Sequence, residues 1–225
     1  MKVAIISDIH SNLPALESVL ADARQFDVTV CCGDVVGYYS NPNEVVELIR
    51  DHGIATIRGN HDAFAIGVIT PDGNRDHFYR VTWTRSELRS ENLSWLRCLP
   101  MEIRLRWDSC TLLLRHASPW DETTYLYPDS PRLSEIQLDA RNVLAVGHTH
   151  RPFVRPVGNG LLVNPGSVGQ PRGENLLPTY GVLDVETQTF EHRRVHYDVA
   201  TYQNYLKGLG WDEKAVGMLA AGKIV

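Results

Sequence analysis

Residues 1–34 read MKVAIISDIHSNLPALESVLADARQFDVTVCCGD, which predicts a strand, a helix and a second strand in succession. The apolar run Val3–Ile6 has the length and composition of a buried strand. Asn12 and Pro14 are typical of a helix start, and apolar residues then recur at helical spacing. Val28–Cys32 is the next apolar run. This stretch is therefore a β-α-β unit.

The same alternation continues for one more unit along the chain. Asn41-Pro42 begins a second predicted helix, which Gly53 ends, and Ile54–Ile57 is a third predicted strand. Alternating strands and helices of this kind predict a parallel sheet whose crossover connections are right-handed. The first third of the chain therefore predicts an α/β fold.

The rest of the chain supplies further helices and strands. Residues 63–98 predict two or three helices that pack on the sheet, and Pro131–Ala140 predicts a short one. Two more helices, Tyr197–Leu206 and Trp211–Ala220, are predicted near the C-terminus. Further predicted strands are Glu102–Trp107, Thr111–Leu114, Val143–Val146, Phe153–Val157, Leu161–Val163, Tyr180–Val185 and Phe190–Val195.

These elements predict a layered α/β arrangement with two sheets, one mostly parallel and the other more antiparallel. The sequence shows no repeat, low-complexity tract or obvious linker. We therefore expect residues 1–225 to form a single domain, with residues 198–225 as a C-terminal helical extension. The four cysteines contain no C-x-x-C pair, and we expect them to be buried thiols in a reducing compartment.

Composition narrows the functional classes. The chain has 225 residues, of which 43% are hydrophobic and 22% are charged, as is ordinary for a soluble globular protein. A formal net charge of −5 argues against a non-specific nucleic-acid binder, which needs a basic face. The N-terminal apolar run is too short for a signal peptide or a membrane span. We expect a cytoplasmic, soluble protein, and the sequence leaves its oligomeric state open.

Five polar clusters follow predicted strands of this fold. In open α/β sheets, ligands bind outside the carboxyl ends of the strands. The potential metal ligands in the clusters are Asp, His and Asn, whose oxygen and imidazole nitrogen atoms suit a pair of divalent transition metals. The clusters are Asp8-Ile9-His10, Gly33-Asp34, Gly59-Asn60-His61-Asp62, Arg115-His116 and Gly147-His148-Thr149-His150.

The spacing within the clusters adds to this hypothesis. Asp8 and His10 are two residues apart, and in extended backbone such residues project to the same side and can hold one metal ion. His148 and His150 have the same spacing, and Asp34 can bridge two cations. Most of the clusters, taken alone, are more often turn or core residues, whereas two histidines spaced as His148 and His150 are seldom needed for packing alone. Their conjunction at strand ends is what indicates a metal site.

In this order the clusters resemble the signature of the calcineurin-like metallophosphoesterases, which is D-x-H, G-D, G-N-H-D/E, a later H and G-H-x-H. Residues 164–169 also resemble the stretch that follows in the compact prokaryotic phosphodiesterase branch. The resemblance covers roughly residues 1–195, with one departure, Ala117, where many relatives have glycine after the histidine. It implies an α-β-β-α sandwich of two mixed sheets flanked by helices.

The resemblance also implies two divalent transition metal ions, with manganese preferred and iron, zinc, nickel or cobalt as alternatives. His61 matches the family's catalytic histidine that binds no metal, and as an imidazolium it would stabilise the transition state or protonate the leaving group. Asp62 would either orient His61 or cap a helix predicted to start at Ala63. The implied ligands are Asp8, His10 and His150 for one metal and Asn60, His116 and His148 for the other, with Asp34 bridging.

The implied activity is hydrolysis of a phosphate ester that depends on a dinuclear metal site and proceeds by in-line attack of a metal-bridging hydroxide. The favoured substrate is a small-molecule phosphodiester. A phosphomonoesterase or protein phosphatase with the same site is the alternative. A non-catalytic scaffold of the same fold is less favoured, because Asn60, His61 and His150 are all retained. Candidates for the rim of the pocket include Tyr38, Tyr39, Tyr125, Tyr127 and Arg172. Tyr125 and Tyr127 could stack on an aryl or base group and Arg172 could contact a phosphate or a second ester group, although surface packing and solvation are at least as good explanations.

Overall fold

Two five-stranded sheets form the centre of the protein. The computed structural model describes residues 1–71, 73–173 and 175–219, and these contain ten strands. All ten were predicted, and every predicted bound agrees with the structure to within one residue. They are β1 Lys2–Ile6, β2 Val28–Cys31, β3 Ala55–Thr56, β4 Ile103–Arg106, β5 Thr111–Leu114, β6 Asn142–Ala145, β7 Phe153–Val157, β8 Gly160–Asn164, β9 Thr179–Asp184 and β10 Thr189–Arg194.

The first sheet has the strand order β10-β9-β1-β2-β3. The β1-α-β2-α-β3 portion is parallel as predicted, with Ile6 paired with Cys31 and Cys31 with Thr56. Strands β9 and β10 extend this sheet on the other side of β1 in antiparallel orientation. The parallel register brings the carboxyl ends of β1, β2 and β3 to one edge, where the first three polar clusters begin.

The second sheet has the order β4-β5-β6-β8-β7. Strands β5, β6 and β8 are parallel, while β4 and β7 pair antiparallel at the two edges. Each sheet therefore contains two parallel and two antiparallel pairings. The expectation of one mostly parallel and one more antiparallel sheet is wrong. The two-sheet α/β class is confirmed.

Eight α-helices lie within the described ranges. Asn12 caps the first, because its side chain accepts a hydrogen bond from the Ala15 backbone N–H at 3.2 Å. Residues 63–98 hold more helices than predicted, because Arg80 adopts a left-handed φ of 55° and separates α4 from α5. The helices are α1 Leu13–Ala23, α2 Pro42–Asp51, α3 Asn60–Ile66, α4 Asp76–Tyr79, α5 Val81–Glu87, α6 Ser90–Cys98, α7 Val199–Gly208 and α8 Glu213–Gly217.

Alternating side chains of the strands build the layers. Val3 and Ile5 belong to a core between the two sheets, whereas Ala4 and Ile6 pack with helix α1 on the outer face of the first sheet. The predicted helix Pro131–Ala140 is only a 3₁₀-helix, Pro131–Glu135. Much of the outer face of the second sheet therefore packs against an irregular segment.

The cysteines and the C-terminus refine two expectations. Cys31 and Cys32 point into different core clusters as adjacent strand residues must, and Cys110 is also buried, but Cys98 is exposed, contrary to expectation. Helices α7 and α8 form a separate apolar cluster against residues 38–39. Residues 220–225 of the predicted extension lie outside the described residues. Where the structure describes the chain, no helix is long and apolar enough to cross a membrane.

Candidate metal centre

The strand ends bring the predicted ligands together. Asp8 and His10 follow β1, Asp34 follows β2, Asn60 begins helix α3, His116 follows β5, and His148 and His150 follow β6. The potential ligand atoms form two sets, and Asp34 belongs to both. Within each set, all the atoms lie within 4.8 Å of one another. The sets are Asp8, His10, Asp34 and His150, and Asp34, His116 and His148. The Asn60 side-chain oxygen lies 2.9 Å from Nε2 of His116, beside the second set.

The backbone that presents these ligands is left-handed, not extended. The φ angles of Asp8 and His10 are 53° and 52°, and those of His148 and His150 are 63° and 59°. The extended conformation assumed for the two Asp-x-His and His-x-His pairs is therefore wrong. The members of each pair still reach the site, because the chain turns sharply where each strand ends. Asp34 has the same geometry, with a φ of 54°.

Two glycines make room for this close approach. A Cβ on Gly59 would overlap the carboxylate and backbone of Asp34. A Cβ on Gly147 would overlap the side chains of Ser7 and Asp8. Glycine at these positions therefore relieves steric crowding and lets one strand end pass directly behind the ligands of another.

Backbone carbonyl groups fix the tautomers of three histidines. Nδ1–H of His10 donates to the Val36 carbonyl at 3.3 Å, and Nδ1–H of His150 donates to the Gln170 carbonyl at 2.7 Å. Nδ1–H of His116 donates to the Cys32 carbonyl at 2.8 Å. In His10 and His150 the Nε2 atom then carries a lone pair directed into the site. Metal-ligating histidines are oriented by hydrogen bonds of this type.

Several atoms that face the centre are acceptors without a hydrogen-bond donor. The Nε2 atoms of His10 and His150 lie 3.1 Å apart, and with both protons on Nδ1 their lone pairs face each other. The Oδ2 atom of Asp34 is buried and has no hydrogen-bond partner, although Nε2 of His116 lies 3.4 Å away. Converging lone pairs repel unless a cation lies among them. The residues therefore fit a pair of bound metal ions.

The buried charges indicate the same need for cations. Burial raises the pKa of Asp8 to about 7, because a carboxylate without solvent resists ionisation. Burial lowers the pKa values of His148 and His150, which keeps both rings neutral and able to ligate. Burial also opposes the charging of His116, but the Asp34 carboxylate overcomes it and raises the His116 pKa to about 10. The site thus attracts positive charge next to Asp34.

His61 lies beside the centre rather than in either donor set. Its backbone N–H donates to Oδ1 of Asp34 at 2.8 Å, which fixes the helix start against this carboxylate. Its ring stacks on Tyr38 at a centroid distance of 4.7 Å and meets Tyr79 edge-on at 4.9 Å. Nδ1 of His61 is buried without a hydrogen-bond partner. Burial lowers the pKa of His61 to about 4, which favours the neutral ring in the unliganded site.

Asp62 contacts backbone groups. Its carboxylate accepts hydrogen bonds from the N–H of Gly59 at 2.9 Å and from the N–H of Val36 at 3.1 Å. No hydrogen bond joins it to the His61 ring among the described residues. The helix starts at Asn60 rather than at Ala63, which places Asp62 in its first turn. The geometry favours the capping role of Asp62 over the orienting one.

Comparison with known proteins agrees with this geometry. Residues 1–188 match the sequence profile of the calcineurin-like phosphoesterase superfamily domain. The chain belongs to this superfamily. The phosphoesterase is 35% identical to the uncharacterized protein MJ0912 of Methanocaldococcus jannaschii, covering 91% of this chain and 92% of that one. It is 27% identical to phosphodiesterase YfcE of Escherichia coli, covering 82% and 88% of the two chains.

A solved relative extends the comparison to the whole chain. The crystal structure of a metallophosphoesterase from Sphaerobacter thermophilus is 32% identical, covers 99% of both chains and superposes with a TM-score of 0.81. The layered α-β-β-α class and the resemblance stated from the motifs are both confirmed by these matches.

A cavity of about 480 Å³ opens over the candidate metal ligands. Of the predicted rim residues, Tyr38, Tyr125 and Arg172 line it. Tyr39 is fully buried and packs against helix α7, and Tyr127 lines a neighbouring cavity. The rim prediction is therefore right for three side chains and wrong for Tyr39 and Tyr127.

Sequence reasoning missed the wall that Phe64 and residues 77–79 contribute. Phe64, Phe78 and Tyr79 line the cavity next to His61, and His77 lies at its edge. Their helices were assigned only to packing on the sheet. The aromatic density at residues 77–79 was the available signal. Arg58 forms an ion pair with Glu122 at 3.0 Å.

Proposed function

We propose that this phosphoesterase hydrolyses a small-molecule phosphodiester at a site that holds two divalent metal ions. The observation that carries the proposal is the position of Asp34, whose carboxylate belongs to both donor sets and has a buried oxygen without a hydrogen-bond partner. A single carboxylate shared in this way is the arrangement that a dinuclear centre needs. When bound, the two cations would supply a hydroxide near neutral pH and neutralise charge on the phosphoryl oxygens.

The residues of the chain would divide the remaining work. Asp8, His10 and His150 would hold one metal ion, and Asn60, His116 and His148 the other. The ring of His61 lies 4.9 Å from that of His10 and lines the cavity over the candidate metal ligands. From there it can reach the leaving oxygen of a bound ester. A phosphate anion beside His61 would raise its pKa, so that it can donate a proton to the leaving oxygen.

Two observations favour a small diester over a phosphoprotein. The cavity over the centre is bounded on the His61 side by Phe78 and Tyr79 and on the His148 side by Tyr125, which fits a small molecule better than a peptide. YfcE, a relative at 27% identity, is named a phosphodiesterase. A phosphomonoesterase or protein phosphatase is the alternative. Manganese as the bound metal and a cytoplasmic location stay predictions from the sequence.

The test combines turnover with metal analysis. Purified protein is stripped with a chelator, reloaded with manganese, iron, zinc, nickel or cobalt, and assayed on bis(p-nitrophenyl) phosphate and p-nitrophenyl phosphate. We expect two metal ions per chain, metal-dependent turnover and a higher kcat/KM for the diester. A higher kcat/KM for the monoester would favour the alternative. Full activity in the stripped protein would refute the proposal, and no turnover with any metal would favour a scaffold.

A further inference from the structure

The cavity over the metal centre has aromatic side chains on both sides. On the side of His10, Tyr38 lies 4.6 Å from the His10 ring and stacks on His61. On the side of His148, Tyr125 lies only 4.0 Å from the His148 ring, measured between centroids. Both tyrosines line the cavity. A substrate centred on the metal site would therefore meet an aromatic ring on either side.

Tyr125 differs from the other rings because it is exposed. Tyr38 is 3% exposed and is held within the apolar cluster formed with the C-terminal helices, whereas 47% of Tyr125 is accessible to solvent. The ring is nevertheless supported, since it lies parallel to Tyr127 at 6.1 Å with an interplanar angle of 9°. A large exposed aromatic surface beside a candidate ligand is a ready stacking platform.

Arg172 adds a positive charge at the same cavity. Its backbone N–H donates to the His150 carbonyl at 3.1 Å, which anchors it beside the ligands. Its guanidinium donates to the side-chain oxygen of Gln170, a neutral partner, at 2.9 Å. Arg172 and Tyr125 both line this cavity. A negatively charged group beside Tyr125 would therefore be stabilised.

We propose that the substrate carries a flat aromatic ester group, of the nucleoside type, whose ring stacks on Tyr125 while its phosphate lies at the metal centre. This inference rests on the proposed phosphodiesterase function. The stacked group is the ester that stays on phosphorus. His61, which would protonate the leaving oxygen, lies near His10 and Tyr38, whereas Tyr125 contacts His148.

The test keeps the leaving group constant and changes only the retained group. Methyl p-nitrophenyl phosphate and thymidine 5′-(p-nitrophenyl phosphate) both release p-nitrophenolate, so a difference in kcat/KM reports on the retained ester. We expect the thymidine ester to be preferred by about fivefold or more, the range that base stacking on an aromatic ring provides. Tyr125→Leu should lower kcat/KM for the thymidine ester more than for the methyl ester and so remove most of this preference, and Tyr125→Phe should retain it.

A matched control and a binding measurement complete the design. Tyr205 is 49% exposed, stacks on Tyr202 and does not line the cavity, so Tyr205→Leu should leave the preference for the thymidine ester unchanged. Calorimetry with thymidine 5′-monophosphate and methyl phosphate reads the same contact without turnover. We expect the nucleotide to bind more tightly in the wild type, and this difference to disappear in Tyr125→Leu.

The outcomes separate this inference from the function on which it rests. Hydrolysis of both esters without preference would overturn the stacking platform and leave the phosphodiesterase function intact. An equal loss on both esters in Tyr125→Leu would also overturn it, because Tyr125 would then act by supporting His148. Absence of hydrolysis, with nucleotide binding that depends on Tyr125, would refute the proposed function while supporting the aromatic ligand.

Discussion

Replacement of His61 by alanine separates metal binding from proton transfer. The His61 ring belongs to neither donor set, and the contact of this residue with Asp34 is made by its backbone N–H, which alanine keeps. We therefore expect His61→Ala to bind the same number of metal ions as the wild type. Turnover should fall steeply, because the proton donor for the leaving oxygen is lost.

The size of the loss follows from the role. General acid catalysis contributes roughly 10²- to 10⁴-fold, which corresponds to about 2.7–5.4 kcal/mol in the barrier. The substitution also empties a buried space between Tyr38, Phe64 and Tyr79, at a cost of about 2–5 kcal/mol in unfolding free energy. His61→Gln retains more of the side-chain volume and serves as the second variant if the alanine protein fails to fold.

The assay compares two leaving groups with the same retained methyl group. Phenolate leaves less readily than p-nitrophenolate, so methyl phenyl phosphate depends more on a proton donor than methyl p-nitrophenyl phosphate. We expect the loss in kcat to be about tenfold larger for the phenyl ester. Elemental analysis is run on the same samples. Loss of a metal ion would make His61 a ligand, and equal losses on both esters would remove its role as the acid.

Three further changes test the supporting structure. Asp34→Asn should lower the metal content from two ions per chain to one or none, measured by elemental analysis, because the carboxylate shared by both donor sets is lost; two retained ions would contradict the bridge. Gly59→Ala should reduce both metal content and Tm, because the added Cβ would overlap Asp34. A Gly59→Ala variant with the metal content and Tm of the wild type would count against this steric argument. Trp211→Phe should lower the free energy of unfolding by about 1–3 kcal/mol, because the Tyr38 carbonyl loses the 2.8 Å hydrogen bond from the indole N–H; denaturant unfolding measures this, and an unchanged midpoint would refute it.

The sequence predicted the strands and the ligand positions because both depend on local pattern. Apolar runs ending in polar clusters mark the carboxyl ends of strands, and the structure places those ends at one site, although each sheet mixes parallel and antiparallel pairs. The helix predicted for Pro131–Ala140 is only a short 3₁₀-helix in the structure. Leu133, Ile136 and Leu138 pack against the second sheet, and this packing does not need a full α-helix. Local helical spacing cannot distinguish a 3₁₀ turn from a longer helix when tertiary contacts decide.

The cavity walls could not be predicted because they depend on contacts between segments distant in sequence. Three contacts fix the position of Tyr38. Its N–H donates to the Tyr79 carbonyl at 2.9 Å, its carbonyl accepts from Trp211, and its ring stacks on His61. Trp211 lies beyond residues 1–188, which match the family profile. The C-terminal helices therefore help to shape the substrate side of the site, although the ligand motifs lie far from them in sequence.

The left-handed backbone at the ligands explains why the motifs use so few residue types. Five of the candidate ligands, Asp8, His10, Asp34, His148 and His150, have φ angles between 52° and 63°. Such a conformation costs about 1–3 kcal/mol for a residue other than glycine, and aspartate and histidine enter it more readily than most residues do. Hydrogen bonds across the loops, such as that from the Asp8 N–H to the Gly33 carbonyl at 3.0 Å, help to hold it. Aspartate and histidine thus have two roles at these turns. They adopt the left-handed backbone conformation, and they supply the atoms that could bind a metal. Ile9 and Thr149, the middle residues of Asp8-Ile9-His10 and His148-Thr149-His150, are not among the residues with positive φ angles.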